Sequence, residues 1–467
     1  MNYIEAIFNL LRNKTLNSLG VERDLIRLIQ DRDISQVQTL LQNRDTEVIE
    51  AIEEYHPTTH KVNQRKNKLR KNKEPYIVEK LPRTRQRYIN EVELFFLLGS
   101  PIKWRNDGEG TDEAFKAYND FLQDTRFHTT IRQAKRLAGA ETESAKVYHI
   151  YDDNGKPGVK VLVISKSKGY TLRPLFDQYE NMIAFGYGYN LEGDRTVEHF
   201  DIETPSYIFR CKKANIGWEV TPVVNPSGKI NVIYYKQDKA WYGTQPRCDR
   251  EELIDSKAAD TNNYFADPKL KVTADVIQSL PSNQDPGEVL QMVGKESVVD
   301  YLVPPEYSSM KDSEKKDLNN SILFDSFTPD FSFENMKGMG TLSGEALKRA
   351  MTLGYIKRDN LKEIYDILVD REKNLILAIM MNVTHIYLRE QLSKMNVTHE
   401  FAEPFNEDKE KQWASIGKLY TDGIISLDLA VTMLALTDAP EDEIRLIKNE
   451  NLNKSVESDK KNNNEGV

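Results

Sequence analysis

Apolar residues recur at helical spacing through the first 55 residues of the chain. Leu25, Leu28 and Ile29 fall on one helical face. An earlier set shares a face in the same way: Ile4, Ile7, Phe8 and Leu11. Because positions three and four apart lie on the same side of a helix, this spacing predicts helices across residues 1–55. The same spacing predicts a helical stretch over residues 111–139, and between the two lies an apolar segment, 88–98, that ends at Gly99-Ser100-Pro101.

The middle of the chain changes to short runs typical of strands. Residues 146–151 and 159–165 flank Asp153-Asn154-Gly155, and apolar runs around an Asn-Gly turn predict a β-hairpin. Further strands are predicted at 182–189, 196–201, 206–212, 217–224 and 229–235. A second hairpin turn is predicted at Pro226-Ser227-Gly228. The region is therefore expected to be an antiparallel β layer joined to the helices before it, which is an α+β fold.

Two helices of matched length are predicted after residue 244. Thr244 is a good capping residue and Pro246 suits a first helical turn, so the first helix is expected over 245–265. Residues 266–304 mix short strands with turns, and the second helix is expected over 305–327. At 1.5 Å per residue each helix is about 30 Å long. The second is so polar that it is either a solvent-facing helix or one packed between subunits.

The last part of the chain is expected to be helical. Residues 328–341 are interpreted as a loop containing Phe, Met and two glycines. Ser343-Gly344-Glu345-Ala346 has the residue types of a capping box, and helical spacing then continues, which predicts a long helix over 342–400. Short helices are predicted over 401–448. The polar, Asn/Lys-rich stretch 449–467 is expected to be disordered.

Composition and charge limit the classes of function that the chain can have. The chain has 467 residues, 39% of them hydrophobic and 29% charged, with a formal net charge of -9. A protein this acidic is not expected to coat nucleic acid. Cys211 and Cys248 form no disulfide framework, which favours a reducing, cytosolic origin. The chain shows no signal peptide and no run long enough to span a membrane, so we expect it to be soluble, unexported by its own signals and without a membrane partner.

Catalytic and cofactor-binding motifs are not found in the sequence. There is no P-loop, GxSxG, HExxH or paired CxxC pattern, so neither an enzymatic activity nor a cofactor is expected. His56 and His60 lie four apart, but Pro57 disrupts a helix there, and the pair is interpreted as part of a surface loop rather than a metal site.

The segment 61–87 is strongly basic. Six of its side chains are candidate phosphate contacts: Arg65, Lys66, Lys68, Arg70, Lys71 and Lys73. Charge runs are more often solvated faces than specific sites, so a merely solvent-exposed strip is the competing interpretation. If the segment binds nucleic acid, contact should be independent of base sequence and steeply dependent on salt.

Four segments, taken in order, resemble the portal (head-to-tail connector) proteins of tailed bacteriophages. YINEVELFFLLGSPIK at 88–103 is similar to the family's wing segment, and EELID at 251–255 to the start of its first stem helix. FTPD at 327–330, followed by LSGEAL at 342–347, resembles the junction from stem to tunnel loop and the helix behind it. YTDGIISLDLAVTMLALTDAPEDEIRLI at 420–447 resembles the family's crown helices.

The resemblance implies a ring subunit, usually one of twelve. It implies a wing (1–244 and the long helix 342–400), stem helices (245–265 and 305–327), a small α/β clip (266–304), a tunnel loop (328–341) and a helical crown (401–448). Such a ring lies at one capsid vertex of the virion after assembly in the host cytoplasm. Its implied partners are further copies of itself, the major capsid and scaffold proteins, the large terminase ATPase that packages DNA, and a head-completion or adaptor protein.

Double-stranded DNA is the remaining implied partner, contacted without sequence specificity. Twelve copies at -9 each carry a formal charge on the order of -100, which favours a conduit that DNA passes without adhering. The resemblance makes seven residues candidates for the DNA-facing loop: Phe331, Phe333, Met336, Lys337, Gly338, Met339 and Gly340. An ordinary helix–helix loop is the alternative. Two alternative functions stay open: a DNA-binding or assembly factor acting through 61–87, and an enzyme with an unrecognised site.

Overall fold

The computed structural model describes residues 21–69, 75–191, 193–266, 270–273, 276–277, 292–293, 298–301, 308–339, 344–405, 409–434 and 443–449. The chain divides into two compact units. The first unit comprises Met1–Phe331 and Met351–Ala402, and the second comprises Ser332–Ala350 and Glu403–Val467. The predicted helix before residue 21 and the predicted disordered tail after residue 449 lie outside the described residues.

The first unit begins with helices and three short strands. In order these are α1 (Val21–Gln30), α2 (Ile34–Leu40), α3 (Asp45–Tyr55), a 3₁₀ turn (Lys61–Gln64), β1 (Lys68–Leu69), β2 (Pro75–Tyr76), α4 (Arg85–Leu98), β3 (Lys103–Asn106), α5 (Asp112–Asp124) and α6 (Phe127–Glu141). The apolar segment 88–98 is thus the buried helix α4, which belongs to the largest core of the unit.

Eight strands follow and form two antiparallel sheets. They are β4 (Glu143–Asp153), β5 (Lys156–Ile164), β6 (Thr171–Phe176), β7 (Met182–Leu191), β8 (Asp194–Glu203), β9 (Tyr207–Lys213), β10 (Trp218–Val224) and β11 (Val232–Lys236). One sheet has the order β10-β9-β8-β7-β6 and the other β11-β4-β5. Helices α1 and α2 cover one face of the five-stranded sheet, and an apolar layer joins its other face to the three-stranded sheet.

The hairpin predicted at Pro226-Ser227-Gly228 is wrong, because the turn joins strands of different sheets. β10 pairs with β9, whereas β11 pairs with β4. The Asn225 side chain supports this crossing by donating to the carbonyls of Thr204 (2.9 Å) and Lys229 (2.6 Å). The sequence shows the turn but not the partner that each flanking strand selects.

The rest of the first unit, in the residues described, carries four helices, three of them long, and five short strands. These are α7 (Gln245–Ala266), the paired strands β12 (Leu270–Thr273) with β15 (Val298–Tyr301) and β13 (Val276–Ile277) with β14 (Met292–Val293), α8 (Ser308–Asp325), α11 (Thr352–Ile379), α12 (Arg389–Lys394) and β16 (Val397–Glu400). The second unit contains α9 (Phe333–Met339), α10 (Gly344–Ala350), α13 (Lys409–Thr421) and α14 (Leu427–Leu434), and residues 443–449 are also helical.

The prediction of one helix across 342–400 is wrong. Helix α11 ends at Ile379 and passes into a π-helical turn, Met380–Thr384, and a 3₁₀ turn, Ile386–Leu388. Val383 and Thr384 are β-branched and weaken a helix there. Beyond α12, strand β16 pairs with β3 and buries Val397. Pairing with a strand almost 300 residues away in sequence outweighs the local helical pattern.

Candidate functional site: the helix pair α7–α8 and its supports

Helices α7 and α8 pair through charge more than through apolar contact. Arg247 pairs with Asp325 and Lys315 with Asp255 (2.7 Å), so the start of α7 lies beside the end of α8. Each of these pairs has a partly exposed member, and such pairs contribute about 0.2–1 kcal/mol each. Apolar burial is concentrated at one end, in a cluster formed by Ile89, Ala240, Trp241, Cys248 and Ile322. The helix pair is therefore anchored at its base and polar along its length.

The basic segment 61–87 supports α7 by pairing with its acidic residues. Lys61 contacts Asp249 (2.6 Å) and Arg65 contacts Asp260 (2.6 Å). Both Arg83 (2.9 Å) and Arg85 (2.8 Å) contact Glu251, whose side chain is fully buried. We call this row of contacts the ion-pair seam.

His60 belongs to the same seam, and the prediction that it lies in a surface loop is wrong. It is 3% exposed, and its Nδ1 lies 2.6 Å from the buried Glu252 carboxylate. Burial opposes protonation of His60, but the hydrogen bond and charge of Glu252, together with the Glu54 carbonyl and the Asp249 charge, outweigh it and raise the pKa of His60. The four-residue spacing between the exposed His56 and His60 does not predict this contact, because Glu252 lies almost 200 residues further along the chain.

The candidate phosphate contacts in this segment fall into three groups. Arg65 is largely buried and is engaged by Asp260 and by the carbonyl of Glu79. Lys66 and Lys68 are exposed. Arg70, Lys71 and Lys73 lie outside the described residues. Part of this basic run therefore pairs with the acidic face of α7 and is not free surface.

Helix α8 ends in a Schellman motif with an unusual residue at its left-handed position. The Thr328 amide donates to the Leu323 carbonyl (2.8 Å), and the Phe327 amide donates to the Phe324 carbonyl (3.0 Å). The left-handed residue is Phe327, with φ of 49°, where glycine is usual. A left-handed conformation costs a residue with a side chain about 1–2 kcal/mol, so the end of α8 is strained.

A lysine from α11 secures the same end of α8. The Lys357 ammonium donates to the carbonyls of Ala240 (2.9 Å) and Ser326 (3.0 Å) and lies 3.0 Å from the Glu93 carboxylate. Glu93 is buried and is also paired with Lys135 of α6. Burial opposes ionisation of Glu93, but the two ammonium groups outweigh it and lower its pKa to about 2. A charged network thus joins α4, α6 and α11 to the base of the helix pair.

The segment after α8 is held by the Tyr88 hydroxyl. This group donates to the Pro329 carbonyl (2.8 Å) and accepts from the Phe331 amide (2.8 Å). The Phe331 ring packs near Phe95 and Phe96, at centroid distances of 6.5 and 6.4 Å. Of the candidate loop residues, Phe331 is therefore packed within the first unit.

The remaining candidates correct the expectation of a loop. In the second unit, residues Phe333–Met339 form helix α9, which includes Gly338 and Met339. Phe333 (87% exposed), Met336 and Lys337 are exposed and share a helical face by their spacing. Gly340 lies outside the described residues. Glu334, Met336 and Lys337 are good helix formers, and a lysine in the last turn also favours helix over loop. The two glycines at 338 and 340 pointed to a loop instead.

No described helix is both long and apolar enough to cross a membrane. Within the same described ranges, no group of three or more His, Cys, Asp or Glu side chains is placed to hold a metal ion.

Comparison with known families gives the class of the protein, a phage portal protein. The family model described as "Phage portal protein, SPP1 Gp6-like" matches residues 29–455, most of the chain. The chain therefore belongs to the SPP1 Gp6-like family of phage portal proteins and has a portal, or head-to-tail connector, role. The resemblance found from four short segments of sequence is confirmed. Among curated proteins, none matches the chain.

Two solved structures are similar to parts of the chain. One is titled "Neck of native GTA particle computed with C12 symmetry": it is 9% identical, with a TM-score of 0.43, over 76% of this chain and 91% of that chain. The other, "Neck of empty GTA particle computed with C6 symmetry", is 9% identical, with a TM-score of 0.44, over 74% of this chain and 89% of that chain.

Proposed function

We propose that copies of this protein close into a ring, of twelve subunits as is usual for the family, at one vertex of the phage capsid, and that double-stranded DNA passes through it during packaging and ejection. In this proposal α7 and α8 are the stem, 266–304 the clip, 328–341 the channel-facing segment and 401–448 the crown. A heterologous interface repeated around an axis closes into a ring. The proposed role is structural, without an enzymatic reaction.

The observation that carries the ring proposal is the surface of α8. Met310 (73% exposed) and Phe324 (65% exposed) project from a helix that is otherwise mainly polar. Tyr242, just before α7, is also 70% exposed. Large apolar side chains on a polar helix pair indicate a surface that another chain covers, and a neighbouring copy is the partner that a portal subunit requires.

The ring is tested by imaging purified full-length protein and the variant Phe324→Glu by negative stain. We expect rings with an axial hole for the wild type, and a marked loss of rings for the variant, because a buried charge replaces an apolar contact. Gln36→Glu adds the same charge at an exposed polar position of α2, away from the face of α8 that carries Phe324, and is the control. A wild type that stays monomeric at every concentration would exclude the ring, and normal rings from Phe324→Glu would exclude this interface.

Passage of DNA is supported by the acidity of the chain and by the exposed face of α9. A net charge of -9 per copy gives DNA little counterion-release energy for binding, so the duplex can slide. Phe333, Met336 and Lys337 supply apolar contact and a single cation for transient phosphate contact. Lys337→Glu should leave ring assembly intact and reduce packaging.

Deletion of 333–340 tests the segment as a whole and leaves the Tyr88 anchor in place. We expect rings to form while packaged DNA falls or is lost from filled heads, measured as DNA per particle in an infection complemented with the variant. Normal genome filling by the deletion variant would argue against a role in the channel.

The proposed docking partners follow from the family. The clip would contact the large terminase ATPase during packaging and a head-completion or adaptor protein afterwards, while the major capsid and scaffold proteins surround the ring during assembly in the host cytoplasm. Copurification with each partner, compared between full-length protein and a variant lacking 270–300, tests the role of the clip.

A DNA-binding or assembly factor acting through 61–87 remains the second candidate, because Lys66 and Lys68 are exposed. The ion-pair seam weighs against it, since Lys61, Arg65, Arg83 and Arg85 are engaged by carboxylates of α7. Salt-dependent DNA affinity of a protein that forms no ring would favour this second candidate.

A further inference from the structure

A cavity of about 560 Å³ lies between the two sheets of the first unit. Five tyrosines line it, among them the neighbouring Tyr170, Tyr187 and Tyr189, together with two acids of β8, Asp201 and Glu203. The tyrosine rings lie near one another, with centroids 5.9 Å apart for both Tyr170–Tyr189 and Tyr187–Tyr189. A cavity of this size is in the range of small-molecule sites and is far larger than a bare metal ion requires.

Asp201 and Glu203 are two residues apart on β8, so both side chains point to the same face of the strand, toward the other sheet. Their neighbours Phe200 and Ile202 point the opposite way, into the core beneath α1 and α2. Asp201 is partnered by hydroxyl groups, those of Tyr187 (3.4 Å) and Tyr189 (3.3 Å). Glu203 is 3% exposed, and its buried Oε2 has no hydrogen-bond partner.

An unpartnered carboxyl oxygen in a protein interior is costly, about 1–3 kcal/mol or more, unless something pairs with it. Arg210 faces Asp201 across the β8–β9 ladder and lines the same cavity. It is exposed and, in the part of the chain that the structure describes, makes no ion pair with Asp201 or Glu203. Arg210 therefore acts on both acids through its charge alone, and Glu203 Oε2 lacks a hydrogen-bond donor within the protein.

We propose that this cavity binds an organic cation, an alkylammonium or guanidinium group, which donates to Glu203 and lies against the tyrosine rings. Aromatic faces attract such cations, and a carboxylate supplies the fixed counter-charge. In the described residues, these two carboxylates belong to no group of three or more His, Cys, Asp or Glu side chains placed to hold a metal ion. This inference does not depend on ring formation or on DNA passage.

Binding should be coupled to release of a proton. Burial, reinforced by the Asp201 charge, raises the pKa of Glu203 to about 8, so the carboxyl group is mostly protonated at pH 7. A cation that requires the carboxylate form binds about fivefold more tightly at pH 8 than at pH 7. Other titratable or charged groups around the cavity are Tyr148, His149, Tyr151, Asp152, Tyr170, Tyr187, Tyr189, His199, Asp201 and Arg210.

The test is calorimetric titration of the full-length protein with agmatine, which carries both cation types. We expect saturable binding, about fivefold tighter at pH 8 than at pH 7. Glu203→Gln keeps the shape of the side chain and should weaken binding at least about tenfold. It should also abolish this pH dependence, although His199 is unchanged in the variant, which would assign the pH dependence to Glu203. Glu198→Gln removes the same charge from the opposite face of β8 and should bind as the wild type does.

Two further arms identify the source of the cation. If the peptide acetyl-Gly-Arg-Gly-amide also binds, the site accepts a basic side chain of another chain, and if only agmatine binds, it accepts a free amine. If uncharged 1-pentanol bound equally well, the cavity would be only an apolar void, and the proposal would be overturned. No agmatine binding at millimolar concentration, or equal affinity in Glu203→Gln, would also overturn it.

Discussion

Replacement of Glu93 by glutamine should be among the most destabilising single changes in the first unit. The carboxylate holds Lys135 and Lys357 and accepts from the Gln237 amide (2.8 Å). Its pKa of about 2, against an ordinary value of 4.5, corresponds to about 3 kcal/mol of stabilisation. Removing one member of a buried pair costs about 3–5 kcal/mol in general. Both arguments give an expected loss of roughly 3 kcal/mol.

The loss is measured as the shift in urea unfolding at pH 7.5 and equal protein concentration, followed by tryptophan fluorescence. Lys394→Met is the matched control, because it breaks only a solvent-exposed pair with Glu390 and should leave the stability nearly unchanged. Adding Lys135→Met to Glu93→Gln should recover part of the loss, since it removes the ammonium left without its carboxylate. A loss no larger than that of Lys394→Met would refute the assignment of the network as a support.

The sign of the pH dependence follows from the lowered pKa of Glu93. Its contribution is complete above the unfolded value near 4.5 and is lost as the pH falls toward 2. The difference in stability between wild type and Glu93→Gln should therefore shrink as the pH is lowered from 5 to 3.

Three further changes test the supports of the helix pair. His60→Gln should cost more stability at pH 6 than at pH 9, because the raised pKa of His60 makes its contribution complete below the ordinary value near 6.5 and lost above the folded-state value; equal costs at both pH values would contradict the charged seam. Tyr88→Phe should cost about 1–2 kcal/mol and increase proteolysis just after α8, with unchanged cleavage counting against the anchor. Phe327→Gly should stabilise the protein by about 1 kcal/mol in the same urea assay, and a destabilised variant would show that the left-handed residue is not strained.

The sequence predicts well the elements that depend on local pattern. The Asn154-Gly155 hairpin joins β4 to β5 as expected, and α7 covers 245–266 where a helix was predicted over 245–265. Strand β6 was missed because Pro174 argues against a strand. It is tolerated there because β6 is the edge of its sheet.

What could not be predicted depends on contacts distant in sequence. The basic run and the acids of α7 are about 170–195 residues apart, so their pairing leaves no local signal. Strand β16 also has no local signal, because its sequence has a helical pattern. Glu203 has none either, because its alternation with Phe200 and Ile202 is the pattern of any half-exposed strand. The helix at 333–339 was locally encoded, but the glycines were given too much weight.

The contact of Lys357 with the base of the helix pair has an evolutionary consequence. The ammonium binds the main-chain oxygens of residues 240 and 326, and every amino acid carries such an oxygen. Residue 240 lies in the apolar cluster at the base of the helix pair and the Ser326 side chain is buried, so packing limits what can replace them, whereas the contact with Lys357 does not. Position 357, by contrast, must keep a long cationic side chain. Among relatives, a lysine or arginine at 357 should therefore persist even where small residues at 240 and 326 differ.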